Sequence, residues 1–174
     1  MNNYPITLHH LYTSKQHSYF GSPNQTPQNY PLINHHNIEL ITDKGIVGDR
    51  FFDRKLGLDS QVSFINYETI RLLGHAPVLF RRNIVMSGVN VQELIGKKFQ
   101  IGDVTFEGVK HCAPCKWMDI VMGQGTMKQM RGRGGPRARV LSGAILSKDE
   151  QILLCEAHLS LPPSEALKKP KLPF

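Results

Sequence analysis

At 174 residues and 19.7 kDa, with 40% hydrophobic and 20% charged residues, the chain suits one ordinary folded domain and not a disordered one. It has no apolar run near the ~20 residues that span a bilayer, and no charged start followed by an apolar stretch marks a secretory signal, so a cytoplasmic protein without a membrane segment is expected. Lys and Arg outnumber Asp and Glu by 21 to 14, a net charge of +7 that favours anionic partners, and three cysteines are too few for a disulfide scaffold.

Residues 1–37 read as an N-terminal strand and surface loop, loosely organised but part of the domain that follows. The stretch 21–29 is rich in turn formers, without an apolar residue, and reads as a long loop. Strands are expected over 38–42, closed by Asp43-Lys44-Gly45, and over 61–65, where apolar and polar residues alternate. Asn66 can cap a short helix over 67–73 that ends at Gly74. A β-prone segment at 83–86 precedes two helical turns over 89–95. Strands at 98–101 and 104–109 flank Gly102-Asp103, a hairpin turn. Residues 116–129 suit either helix or loop, and 131–136 are too glycine-rich for any regular element. The last strands are expected at 139–142 and 151–155, and a basic tail covers 161–174. Many short strands with two or three short helices disfavour a doubly wound parallel sheet. They point to a mainly β, α+β fold, a β-rich barrel over 38–160.

Four features carry chemistry. In His111-Cys112-Ala113-Pro114-Cys115-Lys116 the paired thiols can hold one metal, exchange a disulfide, or present a single thiolate favoured by nearby basic residues. Two core cysteines are the bland alternative. Cys155 and His158 offer a second pair at the same spacing, so a four-ligand zinc site is open, although Cys155 ends an apolar run. Gly45-Ile46-Val47-Gly48-Asp49-Arg50 suits backbone and guanidinium contact with a phosphate, or a plain turn in which Asp49 pairs with an arginine. Arg81-Arg82-Asn83 opens a strand, so one arginine can face a pocket and the other solvent. Lys128, Arg131, Arg133, Arg137 and Arg139 share a glycine-containing stretch without an acidic residue, an anion clamp or an RNA-binding segment. No aromatic residue supplies a stacking platform there, which disfavours nucleic acid. The histidine pairs His9-His10 and His35-His36 lie in loop-like sequence and read as surface residues.

In this order the pieces resemble the MOSC domain family, named for the C-terminal domain of molybdenum-cofactor sulfurases, and look most like its small free-standing bacterial members. The matching segments are 45–50, 81–85, 96–109, Cys112 to Cys115 and 133–140, within roughly 38–155. Phe51 stands where relatives often have His, Lys148-Asp149 replaces a Gly-Asp, and the loop at 21–30 stands where relatives place a lysine.

The resemblance implies a closed or nearly closed mixed β-barrel and a bound molybdenum cofactor, a pterin dithiolene with a phosphate. It implies that Cys115 is the molybdenum ligand or sulfur carrier, with Cys112 the less favoured position. Arg50, Arg81, Asn83, Ala113 and Pro114 fall where the family contacts the cofactor, and Arg133 and Arg137 join them as anion ligands. The implied activity is reduction of N-hydroxylated bases or amines with electrons from a separate reductase, since the chain has no flavin or haem motif and too few cysteines for a four-thiolate cluster. Transfer of a Cys115 persulfide, fed by a cysteine desulfurase that holds the pyridoxal phosphate, is the alternative. A non-enzymatic zinc- or RNA-binding module is the third.

Overall fold

The computed structural model describes residues 1–18, 30–55 and 58–163. Seven strands close into a mixed β-barrel. Around it run β1 (Asn2–Thr13), β11 (Asp149–Cys155), β7 (Lys98–Ile101), β8 (Val104–His111), β9 (Pro136–Ser142), β5 (Val62–Asn66) and β6 (Ile84–Ser87), which returns to β1. Every neighbouring pair is antiparallel except β5 and β6, which run parallel with Phe64 opposite Ile84. A parallel pair needs a crossover. Helix α1 (Tyr67–Leu73) and a 3₁₀ turn at Pro77–Phe80 supply it. Outside the barrel, β3 (Asn37–Ile41) pairs with β4 (Gly45–Ile46) and β10 (Ile145–Ser147), while β2 (Ile33–His35) extends the end of β1.

Two cores follow from the strand pattern. The barrel interior holds Leu8, Leu11, Phe64, Ile84, Phe99, Phe106 and Val140, with Phe64, Phe99 and Phe106 in mutual ring contact at 5.2–5.6 Å. The alternate residues of three strands, Tyr12, Ile65 and Val85, face outward. They pack under α1, α2 (Lys116–Met122) and α3 (Thr126–Gln129) with Ile70, Met118, Met122 and Met130. Strands β5 and β6 are therefore buried on both faces: 84–86 is a continuous apolar run, whereas the alternation expected over 61–65 hides the fact that the polar Ser63 and Asn66 are buried too, each hydrogen-bonded.

Most elements fall where the sequence places them. Helix α1 has the expected bounds and ends at Gly74 with φ +71°, and β7 and β8 meet at Gly102-Asp103. Three differences have physical causes. Strand β1 is the longest strand, not a loose segment: a bulge at His9 breaks the period-2 pattern, so Ile6 and Leu8 face the core and then Leu11 does. The expected helix over 89–95 is a 3₁₀ turn, Val91–Leu94, capped by the Asn90 side chain. Residues 116–129 form two helices, broken at Gly123 and Gly125, both at positive φ. The expected loop at 21–29 and most of the expected tail, 164–174, lie outside the described residues.

Candidate functional site

The four chemical segments converge on the outer side of β5, β6 and β9. The turn after β4 is built on Asp49, 6% exposed. One carboxylate oxygen accepts the Ser14 N–H at 2.9 Å and the Asn83 amide at 3.3 Å, and the other accepts the Phe51 N–H at 3.1 Å. Asp49 thus organises backbone and makes no ion pair with an arginine among the described residues.

Arg50 points inward from that turn. Its Nε and Nη1 are buried with no hydrogen-bond partner. Burial lowers its pKa, the charges of Arg137 and Arg82 add to that, and Asp49 and Cys112 oppose it. Beside it, the guanidiniums of Arg50, Arg54 and Arg137 lie 4.9, 5.9 and 5.5 Å from the centroid of Phe51, and His17 meets the same ring edge-on at 5.1 Å. Burial and the charges of Arg50, Arg54, Arg137 and Arg81 push the His17 imidazole down to about 4. Asp49 is the carboxylate beside them, and both of its oxygens are taken by Ser14, Asn83 and Phe51, so guanidiniums held this close form a site poised for an anion.

The arginines before β6 diverge. Arg81, in left-handed backbone with φ +53°, donates to the Tyr30 carbonyl at 2.7 Å, Ser14 Oγ at 3.1 Å and the Gln16 carbonyl at 3.2 Å. Burial first, then Arg50, brings its pKa down to about 10. Arg82 is the buried member. It donates to the carbonyls of Gly134 at 2.9 Å, Phe80 at 2.8 Å and Cys112 at 3.4 Å. Asn83 is buried and committed to Ser63, Tyr12 and Asp49.

These contacts fix the cysteine segment. The Cys112 N–H donates to the Gly135 carbonyl at 2.8 Å. Both thiols are free, with Cys112 buried, Cys115 exposed just before α2, Ala113 exposed and Pro114 half-buried. Glycine is required opposite: a side chain at 134 would overlap the Cys112 carbonyl, and one at 135, where φ is +77°, would overlap that of Phe64. Arg133, also buried, donates from Nη1 to the Gln129 carbonyl at 2.8 Å and leaves Nη2 unpaired. Trp117 Nε1 and both ring nitrogens of His111 are likewise buried and unpaired. Arg131 is exposed, and Arg139 pairs with Asp43 at 2.9 Å.

The structure thus brings Arg50, Arg137 and the Cys112 segment together, and holds Asn83 and Arg81 by protein contacts. Sequence reasoning missed His17, Arg82 and Phe51 as parts of the cluster. The repeated arginine at 81 and 82 was the only signal for Arg82, and the departure at Phe51 the only one for that ring. The zinc alternative is not assembled. Cys155 lies in the barrel core with Sγ 3.6 Å from the Lys98 carbonyl, and no group of three His, Cys, Asp or Glu among the described residues could hold an ion.

The sequence matches the family model of the MOSC domain over residues 53–153. No curated protein matches it. Among solved structures, the YuaD protein of Bacillus subtilis aligns at 14% identity and a TM-score of 0.69, covering 90% of this chain and 99% of that one. YiiM from Escherichia coli aligns at 18% identity and 0.59, covering 94% and 74%. YiiM from Geobacillus stearothermophilus aligns at 11% and 0.58, covering 86% and 75%. At these identities the likeness concerns the fold.

Proposed function

The chain belongs to the MOSC domain family, and from that membership and the arginine-lined site we propose that it binds the molybdenum cofactor and reduces N-hydroxylated bases or amines. The observation that carries this reading is Arg50, a buried guanidinium with two N–H-bearing nitrogens unpaired beside a free thiol segment. A buried cation without a partner is costly, and an anionic ligand offsets that cost. The site chemistry fits the group. Arg50 and Arg137 suit the pterin phosphate, and the exposed Cys115 thiol suits a soft metal. When bound, the cofactor supplies a two-electron centre able to take oxygen from an N–OH group.

The chain's own residues do the rest. Arg50 and Arg137 bind and orient the anionic end. Arg82 pins the Cys112 and Gly134 carbonyls, which fixes where Cys115 is presented. His17 stays neutral at physiological pH and adds no charge to the arginine cluster. Electrons come from a separate reductase, because the sequence has no flavin or haem motif. A second reading rests on the exposure of Cys115: an accessible thiol can carry a persulfide received from a cysteine desulfurase.

The test is expression in a host that makes the cofactor, with molybdenum measured by mass spectrometry and oxidised pterin by fluorescence. Near-stoichiometric molybdenum and pterin in the wild type, and loss of metal in Cys115→Ala, support reduction. Protein without either but with a persulfide on Cys115 supports sulfur transfer. Protein with neither and an unmodified Cys115 overturns both.

A further inference from the structure

A second constellation lies on the opposite side of β1 from the barrel core, away from the cysteines. The bulge at His9 turns this residue out of the regular ladder. Bulges commonly re-aim a side chain in this way. The imidazole then meets β6: His9 Nε2 is 2.7 Å from Ser87 Oγ. Its ring stacks on Tyr67 at 4.0 Å with 20° between planes, which fixes its orientation. The Glu68 carboxylate is near enough to favour a protonated imidazole, and it is itself held by the Gly88 N–H at 3.3 Å and the Asn66 amide at 3.4 Å. Burial lowers the His9 pKa more than Glu68 raises it, so the ring is neutral at physiological pH, and in the tautomer protonated at Nδ1 its Nε2 accepts from Ser87 Oγ.

Ser87 and Gly88 line an open groove of about 510 Å³ whose other walls are Pro5–Thr7 and Glu150–Ile152. Thr13 and His35 form another 2.7 Å hydroxyl–imidazole pair, but Thr13 is buried, at 4% exposed. Ser87 is half-buried and lines the groove, and the charge of Glu68 acts on its histidine.

We infer that Ser87 and His9 form a nucleophile–base pair that hydrolyses small uncharged esters in this groove. A serine, a histidine within hydrogen-bond reach and a nearby carboxylate are the requirements for activating a hydroxyl. The Ser87 oxygen attacks the ester carbonyl carbon as His9 takes its proton. The carbonyl–alkoxy bond then breaks, and the alcohol leaves with that proton. Water, losing a proton to His9, attacks the acyl group on Ser87. The carboxylic acid departs, and His9 returns the proton to the serine oxygen. Pro5 and Ile152 give the groove apolar walls for the acyl chain, and Glu150 at its edge disfavours anionic esters.

The full chain, without cofactor, is treated with a fluorophosphonate and with p-nitrophenyl acetate. One phosphonyl adduct on Ser87 and an initial burst of nitrophenolate are expected. Both disappear in Ser87→Ala. His9→Phe keeps a ring to stack on Tyr67 and slows both by roughly 100-fold. If His9→Phe does not fold, His9→Gln takes its place. No adduct, an adduct on another residue, or an unchanged rate in the His9 variant overturns the inference.

Discussion

The carbonyl oxygen of Cys112 occupies the space that a β-carbon on residue 134 would need. Two segments 22 residues apart in sequence are therefore pressed backbone to backbone, with Arg82 donating to both carbonyls at 3.4 and 2.9 Å. This close approach sets the height of the cysteine loop over β5 and β9.

Gly134→Ala should accordingly act on fold and site together. The obstacle is backbone and not a flexible side-chain end, so one segment must move. A loss of about 1–3 kcal/mol is expected, the usual cost of overpacking, together with weaker retention of molybdenum. Thermal melts and metal content measure the two effects. A variant with wild-type melting and wild-type metal would show that the contact is not needed.

Arg50→Met should separate stability from binding. Arg50 is half-buried, lacks partners for its buried Nε and Nη1, and is crowded by Arg137 and Arg82. An apolar side chain of similar length removes an uncompensated charge, so the cofactor-free variant should be as stable as wild type or more so, by up to ~1 kcal/mol. Anion binding should fall at least tenfold, read as loss of the stabilisation that added phosphate gives the wild type. A destabilised variant that still responds to phosphate would mean that Arg50 serves only packing.

Asn83→Ala should behave in the opposite way. Its oxygen accepts from the Ser63 N–H at 3.0 Å and Oγ at 2.9 Å, and its amide donates to the Tyr12 carbonyl at 3.1 Å and Asp49 at 3.3 Å. Truncation leaves several buried polar groups unpaired, at about 1–3 kcal/mol for each group not rescued by water. A large fall in melting temperature is expected even without any ligand. Unchanged stability with lost cofactor would instead make Asn83 a ligand contact.

The same residues explain what was legible in the sequence. Strands buried on one regular face, such as 98–101 and 104–111, announce themselves by alternation, and α1 by its terminal glycine; the expected Asn66 cap does not form, because that side chain bonds Val89 and Val91 instead. An N-terminal strand was legible, but the length of β1 was not, because one bulged residue shifts its phase and its pairing partners, β6 and β11, lie far along the chain. In the site, residue types were legible but their directions were not. Nothing in Arg81-Arg82 says that Arg82 turns under the cysteine loop while Arg81 braces Ser14 and Tyr30. His17 joins the cluster only through the fold, which sets it against Phe51.

His17 gives a pH prediction. Its imidazole titrates near 4 in the folded protein against 6.5 for an unperturbed group. Between those values the unfolded chain binds more protons, so protonation favours unfolding and stability falls as pH drops from 6.5 towards 4. Above that window His17 contributes no pH dependence. His17→Gln removes this titration and leaves the carboxylates and the other histidines to titrate as before. The melting temperature of wild type should therefore fall more steeply with acid than that of the variant. Added phosphate should narrow the gap, because an anion among Arg50, Arg54, Arg81 and Arg137 offsets the repulsion that holds the imidazole neutral. Parallel melting curves with and without His17 would show that neither burial nor the arginines depress its titration.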